Sequence, residues 1–343
     1  MSEQKVKSTP GAETLVEVRD LKKWYPVQQN FVDRLFGRQQ DFVHAVDGVS
    51  FAIRRGEVLG LAGESGSGKS TTGRLVVGME PPTGGSVHFD GTDLSTMGPE
   101  ALRKLRRRMQ IIYQDPMASL NPRMSLGDGI GYGLRVHFPE KPLEEQRQIT
   151  IEIMEKVGLS PAEYFFSKFP HQTSGGQRQR AVIARALVTR PDLILADEPI
   201  AMADVSVRAL LLDLMNQLKR EFNLTYLFIT HDLATAKYIC DRIGILYLGM
   251  MMELGDLAEV YTHPLHPYTQ ALLAAVPVPD PLQRRKQPMP EGEIPNPINP
   301  PPGCRFFQRC GQARKECGQE TPVLRELRPG HWVACHSAEE FLR

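Results

Sequence analysis

Nine consecutive residues, Gly63-Glu64-Ser65-Gly66-Ser67-Gly68-Lys69-Ser70-Thr71, carry the clearest chemistry in the chain. They read G-x-x-x-x-G-K-S directly after the apolar, strand-like Glu57-Val58-Leu59-Gly60-Leu61-Ala62. The three glycines let the backbone curl until several N–H groups point at one spot, and a helix opening near Lys69 adds the positive end of its dipole. Such a cradle suits a polyphosphate. Lys69 would reach the outer phosphates and the Ser70 hydroxyl would hold Mg²⁺, with Ser65 and Thr71 completing the binding stretch. A chance glycine-rich turn would lack both the strand before it and the helix-forming segment after it.

Other candidates lie at strand ends. Asp192-Leu193-Ile194-Leu195-Ala196 is a buried-strand pattern that runs into Asp197-Glu198-Pro199. A carboxylate at such a tip holds the water shell of Mg²⁺, which assigns Asp197; Glu198 is then placed to orient or deprotonate an attacking water. Gln114 follows the strand pattern Met109–Tyr113, and its neutral amide can bind Mg²⁺ or a water. His231 follows the strand pattern Leu224–Thr230 and can donate to a terminal phosphate. Ser174-Gly175-Gly176-Gln177 opens a long helix, a second place where backbone amides face an anion. One chain does not need two cradles for one phosphate, whereas two chains facing each other do. Tyr25, just after the strand Leu15–Val18, offers an aromatic face to a purine.

These side chains need a sheet to hold them. Strand patterns at Val43–Phe51 and Ser86–Asp90, a basic helix at Pro99–Arg108 and charged helical periodicity over 125–169 predict an α/β sheet core with a helical lobe. Arg106, Arg107 and Arg108 read as a solvated helix face. Residues 28–41, polar and basic with Phe31, Leu35 and Phe36 interspersed, read as a surface insertion. Hydrophobic residues make up 41% of the 343, enough for a core, and the net charge of +1 gives no electrostatic footprint for nucleic acid. The polar start (Ser2–Thr9) and the lack of a bilayer-length apolar run predict a cytosolic chain whose membrane role comes through partners.

Residues 277–302 are proline-rich and read as a semi-rigid linker. Beyond them stand Cys304, Cys310, Cys317 and Cys335, spaced C-x5-C-x6-C-x17-C; Cys240 reads as a buried structural residue. A reducing compartment argues against disulfides and for a metal. Zinc prefers closer pairs, and four thiolates at irregular spacing suit a [4Fe–4S] cluster at least as well. His331 and His336 flank Cys335 as substitute ligands.

From about residue 15 to 258, the phosphate loop, Gln114, Ser174–Gln177, Asp197-Glu198 and His231 resemble, in order and spacing, the ATP-binding subunits of ABC transporters. Gln114-Asp115-Pro116-Met117-Ala118-Ser119-Leu120-Asn121-Pro122 and His263–Leu273 are similar to the oligopeptide/dipeptide (peptide/nickel) branch of importers. The resemblance implies an α/β ABC-type P-loop nucleotide-binding domain at 15–258, a RecA-like core with a helical subdomain at about 116–180. It also implies a flexible tail at 1–14 and a small cysteine-rich extension at 259–343, which in some members holds a [4Fe–4S] cluster.

By the same resemblance, Mg-ATP is held between one chain's phosphate loop and the Ser-Gly-Gly segment of a second, usually different, ATPase chain in a head-to-tail dimer. Partners would be two membrane permease subunits and a periplasmic or lipid-anchored substrate-binding protein, with this chain at the cytoplasmic face of the membrane. Di- and oligopeptides are the expected cargo; nickel, glutathione or oligosaccharide are alternatives, as is an ABC ATPase outside transport. Two positions depart from the family pattern. Thr173 stands where Leu or Phe is usual, and Ala201 where a serine is usual, which predicts possible asymmetry between two ATP sites.

Overall fold

The computed structural model describes residues 13–29, 39–276 and 295–342. Nearly all of the expected tail, most of the insertion at 28–41 and most of the proline-rich stretch lie outside them. The chain divides into two compact units, one made of Met1–Ile53, Leu59–Ser95 and Thr230–Arg343, the other of Arg54–Val58 and Thr96–Ile229.

The first unit begins with β1 (Thr14–Pro26), β2 (Phe42–Arg54), β3 (Val58–Ala62), α1 (Lys69–Val76), β4 (Gly84–Phe89) and β5 (Thr92–Asp93). One sheet runs in the order β2-β1-β4-β5, with Val16 opposite Phe89 and Val18 opposite Val87. Along β2, Val49, Phe51 and Ile53 are buried at every second position, the period of a sheet with one face on the core. β3 is buried along its whole length, so it reads as a continuous apolar run without alternation.

The second unit carries α2 (Pro99–Leu105), β6 (Met109–Ile112), α3 (Pro116–Ser119), α4 (Leu126–His137), α5 (Leu143–Lys156), α6 (Ala162–Phe166), α7 (Gly175–Leu187), β7 (Leu193–Asp197), α8 (Val205–Phe222) and β8 (Thr225–Thr230). Strands β6, β7 and β8 are parallel neighbours. Helix α4 packs on α5, α6 and α7, and Ile130, Leu134, Ile153, Met154 and Val182 are buried. The basic helix is shorter than its sequence predicts, because Arg106–Arg108 turn into a 3₁₀ segment. Arg108, still about a third exposed, pairs at this surface with Asp192, its Nε donating to Oδ2 at 2.5 Å.

The chain returns to the first unit with α9 (Leu233–Ile239), β9 (Arg242–Tyr247), β10 (Met250–Asp256), α10 (Leu257–Thr262), α11 (Pro267–Ala274), β11 (Arg325–Arg328) and β12 (His331–Val333). Strand β9 runs parallel to β3 and antiparallel to β10, and β12 joins β10 with β11 outside it. Residues past 300 thus add two strands to this unit's sheet. A buried polar knot fixes the join: Glu253, fully buried, accepts from the backbone N–H groups of Leu265 (2.7 Å) and His266 (3.0 Å) and pairs with His331 Nε2 at 2.7 Å. Cys240, just past α9, is buried against Gly60, where a Cβ would come within 2.7 Å of its sulfur.

Candidate functional site

The phosphate loop joins β3 to α1, and two of its glycines sit where a side chain would collide with backbone. Gly63 has φ +148° and a Cβ there would lie 2.1 Å from the Leu246 carbonyl; at Gly68, φ +98°, it would lie 2.3 Å from the Ala45 carbonyl. Gly66, φ +77°, has open space where a Cβ would go. The loop is pressed against backbone on one side and open on the other, and its last glycine caps α1. That shape accepts a polyphosphate at a helix N-terminus.

Lys69 Nζ donates across the loop to the carbonyls of Gly63 and Glu64, both at 2.8 Å, and lies 3.3 Å from Ser67 Oγ. Ser70 and Thr71 follow on the first turn of α1, and Ser65 sits exposed on the loop. Tyr25, at the end of β1, donates to Glu80 Oε2 at 2.5 Å and has Lys23 Nζ 5.1 Å from its ring centre. Burial, then the Glu80 carboxylate, push its hydroxyl up to about 12. The neighbouring Trp24 is committed to packing, stacked on His44 with ring centres 4.1 Å apart. His231, in this same unit, is exposed directly after β8, and Asp232 beside it caps α9.

In the second unit, parallel pairing of β6 with β7 brings Gln114 to the end of β7. Its Nε2 donates to Glu198 Oε2 at 3.1 Å. Asp197 is the last residue of β7 and pairs in register with Ile229. Glu198 leaves the strand at φ +48°, a left-handed conformation that costs a non-glycine residue about 1 kcal/mol or more. Its N–H donates to the Ile229 carbonyl at 3.0 Å, which holds the turn. The turn and the Gln114 amide together fix where this carboxylate points.

Ser174 caps α7 in a reciprocal box: Gln177 N–H donates to its hydroxyl at 3.3 Å, and its own N–H donates to Gln177 Oε1 at 2.9 Å. Gly175, free of Cβ contacts, leaves the helix start approachable. Thr173 has a local reason to be polar. Its buried hydroxyl donates to the Pro170 carbonyl at 2.8 Å, so the departure from an apolar residue leaves no unpaired group. Around Ala201 the backbone is tied by Arg208, whose Nε donates to the Ala203 carbonyl at 2.8 Å.

Cys304, Cys310, Cys317 and Cys335 line one pocket with His266, Phe306, Phe307 and His336. Burial first, then the nearby thiols, push Cys304 up to about 12 and Cys335 to about 11. The pocket holds about 20 Å³, the room of a single water-sized sphere. No group of three or more His, Cys, Asp or Glu among the described residues takes a metal-binding arrangement. The expected [4Fe–4S] cluster is therefore not supported by the arrangement of the described residues, although the four thiols converge on one pocket and the donor type is right. His331 does not line this pocket, and its Nε2 pairs with Glu253; His336 does line it, with Nε2 3.0 Å from the Glu320 carbonyl.

Sequence spacing did not single out Arg309, Tyr268 or Tyr247. Arg309 Nη1 and Nη2 donate to Glu64 at 2.7 and 3.0 Å, and Tyr268 Oη accepts the Glu64 N–H at 2.9 Å. Nothing local signals a contact between residues 245 positions apart.

Family comparisons match residues 46–201 to "ABC transporter" and 252–317 to "Oligopeptide/dipeptide transporter, C-terminal region". The oligopeptide transport ATP-binding protein AppF of Bacillus subtilis is 47% identical over 94% of this chain and 97% of its own length. OppF of Escherichia coli K12, named in the same words, is 45% identical over 95% of this chain and 97% of its own. Among solved structures, the dimeric ATP-binding cassette MJ0796 in a post-hydrolysis state with ADP and Pi matches with a TM-score of 0.62 and 28% identity, over 71% of this chain and 99% of that one. The loop geometry, the glutamate turn and the match along nearly the whole chain agree: it belongs to the ATP-binding proteins of ABC transporters, in the branch with the oligopeptide/dipeptide transporter C-terminal region.

Proposed function

We propose that this chain hydrolyses Mg-ATP to power the import of oligopeptides. The observation that carries this reading is its close identity, along almost the whole length, to two oligopeptide transport ATP-binding proteins. The fitted loop supports ATP as the fuel. In this reading the loop amides of Gly63–Gly68 and Lys69 bind the phosphates, Tyr25 meets the purine, and Ser70, Gln114 and Asp197 hold Mg²⁺ directly or through water. Mg²⁺ would supply charge neutralisation at the phosphoryl group. Glu198, held in its turn and touched by Gln114, takes the proton of the attacking water, and His231 donates to the terminal phosphate.

The Ser174–Gln177 cap serves a second ATPase chain. A head-to-tail pair explains why one chain carries two anion-facing helix starts, and the dimeric state of the cassette it resembles is in keeping with this. Among the described residues no helix is long and apolar enough to cross a membrane, so two permease subunits would provide the passage, with this chain at their cytoplasmic face and a binding protein delivering cargo. The test is steady-state ATP hydrolysis by the assembled transporter. Glu198→Gln should keep nucleotide binding and lose turnover at least about a hundredfold; unchanged turnover would overturn the assignment.

We propose further that the four cysteines hold a metal. Their convergence on one pocket supports a thiolate-held metal that staples the segment, a [4Fe–4S] cluster or a Zn²⁺. With thiols raised to about 11 and 12, metal entry must displace protons. Iron, sulfide and zinc analysis of anaerobically purified protein, beside Cys310→Ser, tests this; an absence of all three would refute it.

A further inference from the structure

The segment Cys304–Cys310 is tied to β2 by one arginine and to the nucleotide loop by another. Arg305 Nη2 donates to Asp47 Oδ2 at 2.6 Å, and Asp47 Oδ1 accepts the Trp24 indole N–H at 3.1 Å. Four residues on, Arg309 forms a two-pronged pair with Glu64. Both side chains are nearly closed off from water, Arg309 at 6% exposure and Glu64 at 17%. A platform of rings fixes the guanidinium: it lies 5.8 Å from the Tyr247 ring centre and 6.0 Å from that of Phe306, and it also donates to Tyr247 Oη at 3.2 Å. Tyr268 packs against both rings while its hydroxyl holds the Glu64 N–H.

Glu64 is the only acid in residues 63–71, the stretch that must admit a polyanion. Its backbone is tied on both sides, N–H to Tyr268 and C=O to Lys69. An unpaired carboxylate here would repel phosphate in surroundings where charges are poorly screened. A planar guanidinium gripping both oxygens cancels that charge and fixes where the side chain points.

We propose that Arg309 is a positioning residue for ATP binding, holding Glu64 neutralised and turned away from the phosphates, so that the four-thiol segment in which it stands sets nucleotide affinity. This rests on the ATP-binding reading above. Arg309 touches no substrate and acts through Glu64. Because Cys310 is the next residue and lines the thiol pocket, a change of state at the thiols that shifts this segment moves Arg309 with it.

The test is titration of a fluorescent ATP analogue into the full-length chain, with thermal unfolding followed in parallel. Arg309→Ala should weaken binding about tenfold, the scale of losing a charge-assisted bond and leaving its acid unpaired. Arg309→Lys, which keeps the charge but not the fork, should fall between. Adding Glu64→Gln to Arg309→Ala should recover at least about threefold, because the offending charge is gone. A purely structural role predicts a lower melting temperature and no such recovery. Unchanged affinity in Arg309→Ala, or a double variant no tighter than the single, overturns the proposal. If Arg309→Ala fails to fold, the Arg309→Lys value decides: affinity equal to the parent's refutes it. A parent chain that does not bind the analogue would instead sink the ATPase reading itself.

Discussion

The phosphate loop and the four-cysteine segment belong to one compact unit, yet they are specified in opposite ways. The loop's shape is dictated within nine residues: glycine at 63 and 68 is demanded by positive φ and by carbonyls a Cβ would strike. The cysteine segment has little regular structure between Cys304 and Gly318 and is located by distant partners, Asp47 and Glu64 for its arginines and Glu253 for the strand that follows it. Chemistry that depends on backbone conformation is therefore encoded locally. Attachment and tuning are encoded by side chains 78 to 258 positions apart.

The sharpest way to break that contrast is to substitute the loop itself. Gly63→Ala should abolish nucleotide binding in the titration above, since neither the positive φ nor the 2.1 Å approach to Leu246 can be relieved by a side-chain shift. Retained binding would mean the loop is less constrained than its geometry says. On the other side, Glu253→Ala strands two backbone N–H groups and His331 in the interior. It should cost about 3–5 kcal/mol in chemical denaturation, and a loss below about 1 kcal/mol would detach the β10–β12 join from the stability of the unit.

A pH series probes the same region more gently. Burial holds His266 down to about 3 from 6.5, so the folded protein keeps it neutral where the unfolded chain takes up a proton. The unfolded state binds more protons between those values, and stability from this group is full above 6.5 and lost as pH falls toward 3. Urea midpoints should decline over that window, less steeply in His266→Gln; equal slopes would discount the histidine. The smallest effect belongs to the helix cap: Ser174→Ala should cost about 0.5–2 kcal/mol by the same denaturation assay, while unchanged stability would show that the cap contributes little.

Legibility follows the same division. The placement of Gly63–Thr71, Gln114, Asp197 and Glu198 is readable because a strand pattern ends at or just before each of them, and the hydrogen bond from Gln114 to Glu198 follows from parallel pairing of adjacent strands. Thr173, by contrast, looks like a defect in sequence and is satisfied in three dimensions by the Pro170 carbonyl. His331 looks like a spare metal ligand beside Cys335, yet it lies outside the thiol pocket, with its Nε2 on a glutamate 78 residues earlier. The basic run at 106–108 looks solvated, but its last member pairs with Asp192 across 84 residues. Periodicity reports which face is buried. It does not report which charged groups meet.

The most direct test is ATP-driven uptake of a labelled oligopeptide by vesicles carrying the assembled transporter, with ATP on the side that holds this chain. Uptake that requires ATP and is lost in Glu198→Gln, while assembly and nucleotide binding persist, is the predicted result. Equal uptake with the parent and Glu198→Gln chains, or none in a parent complex that hydrolyses ATP, would contradict it.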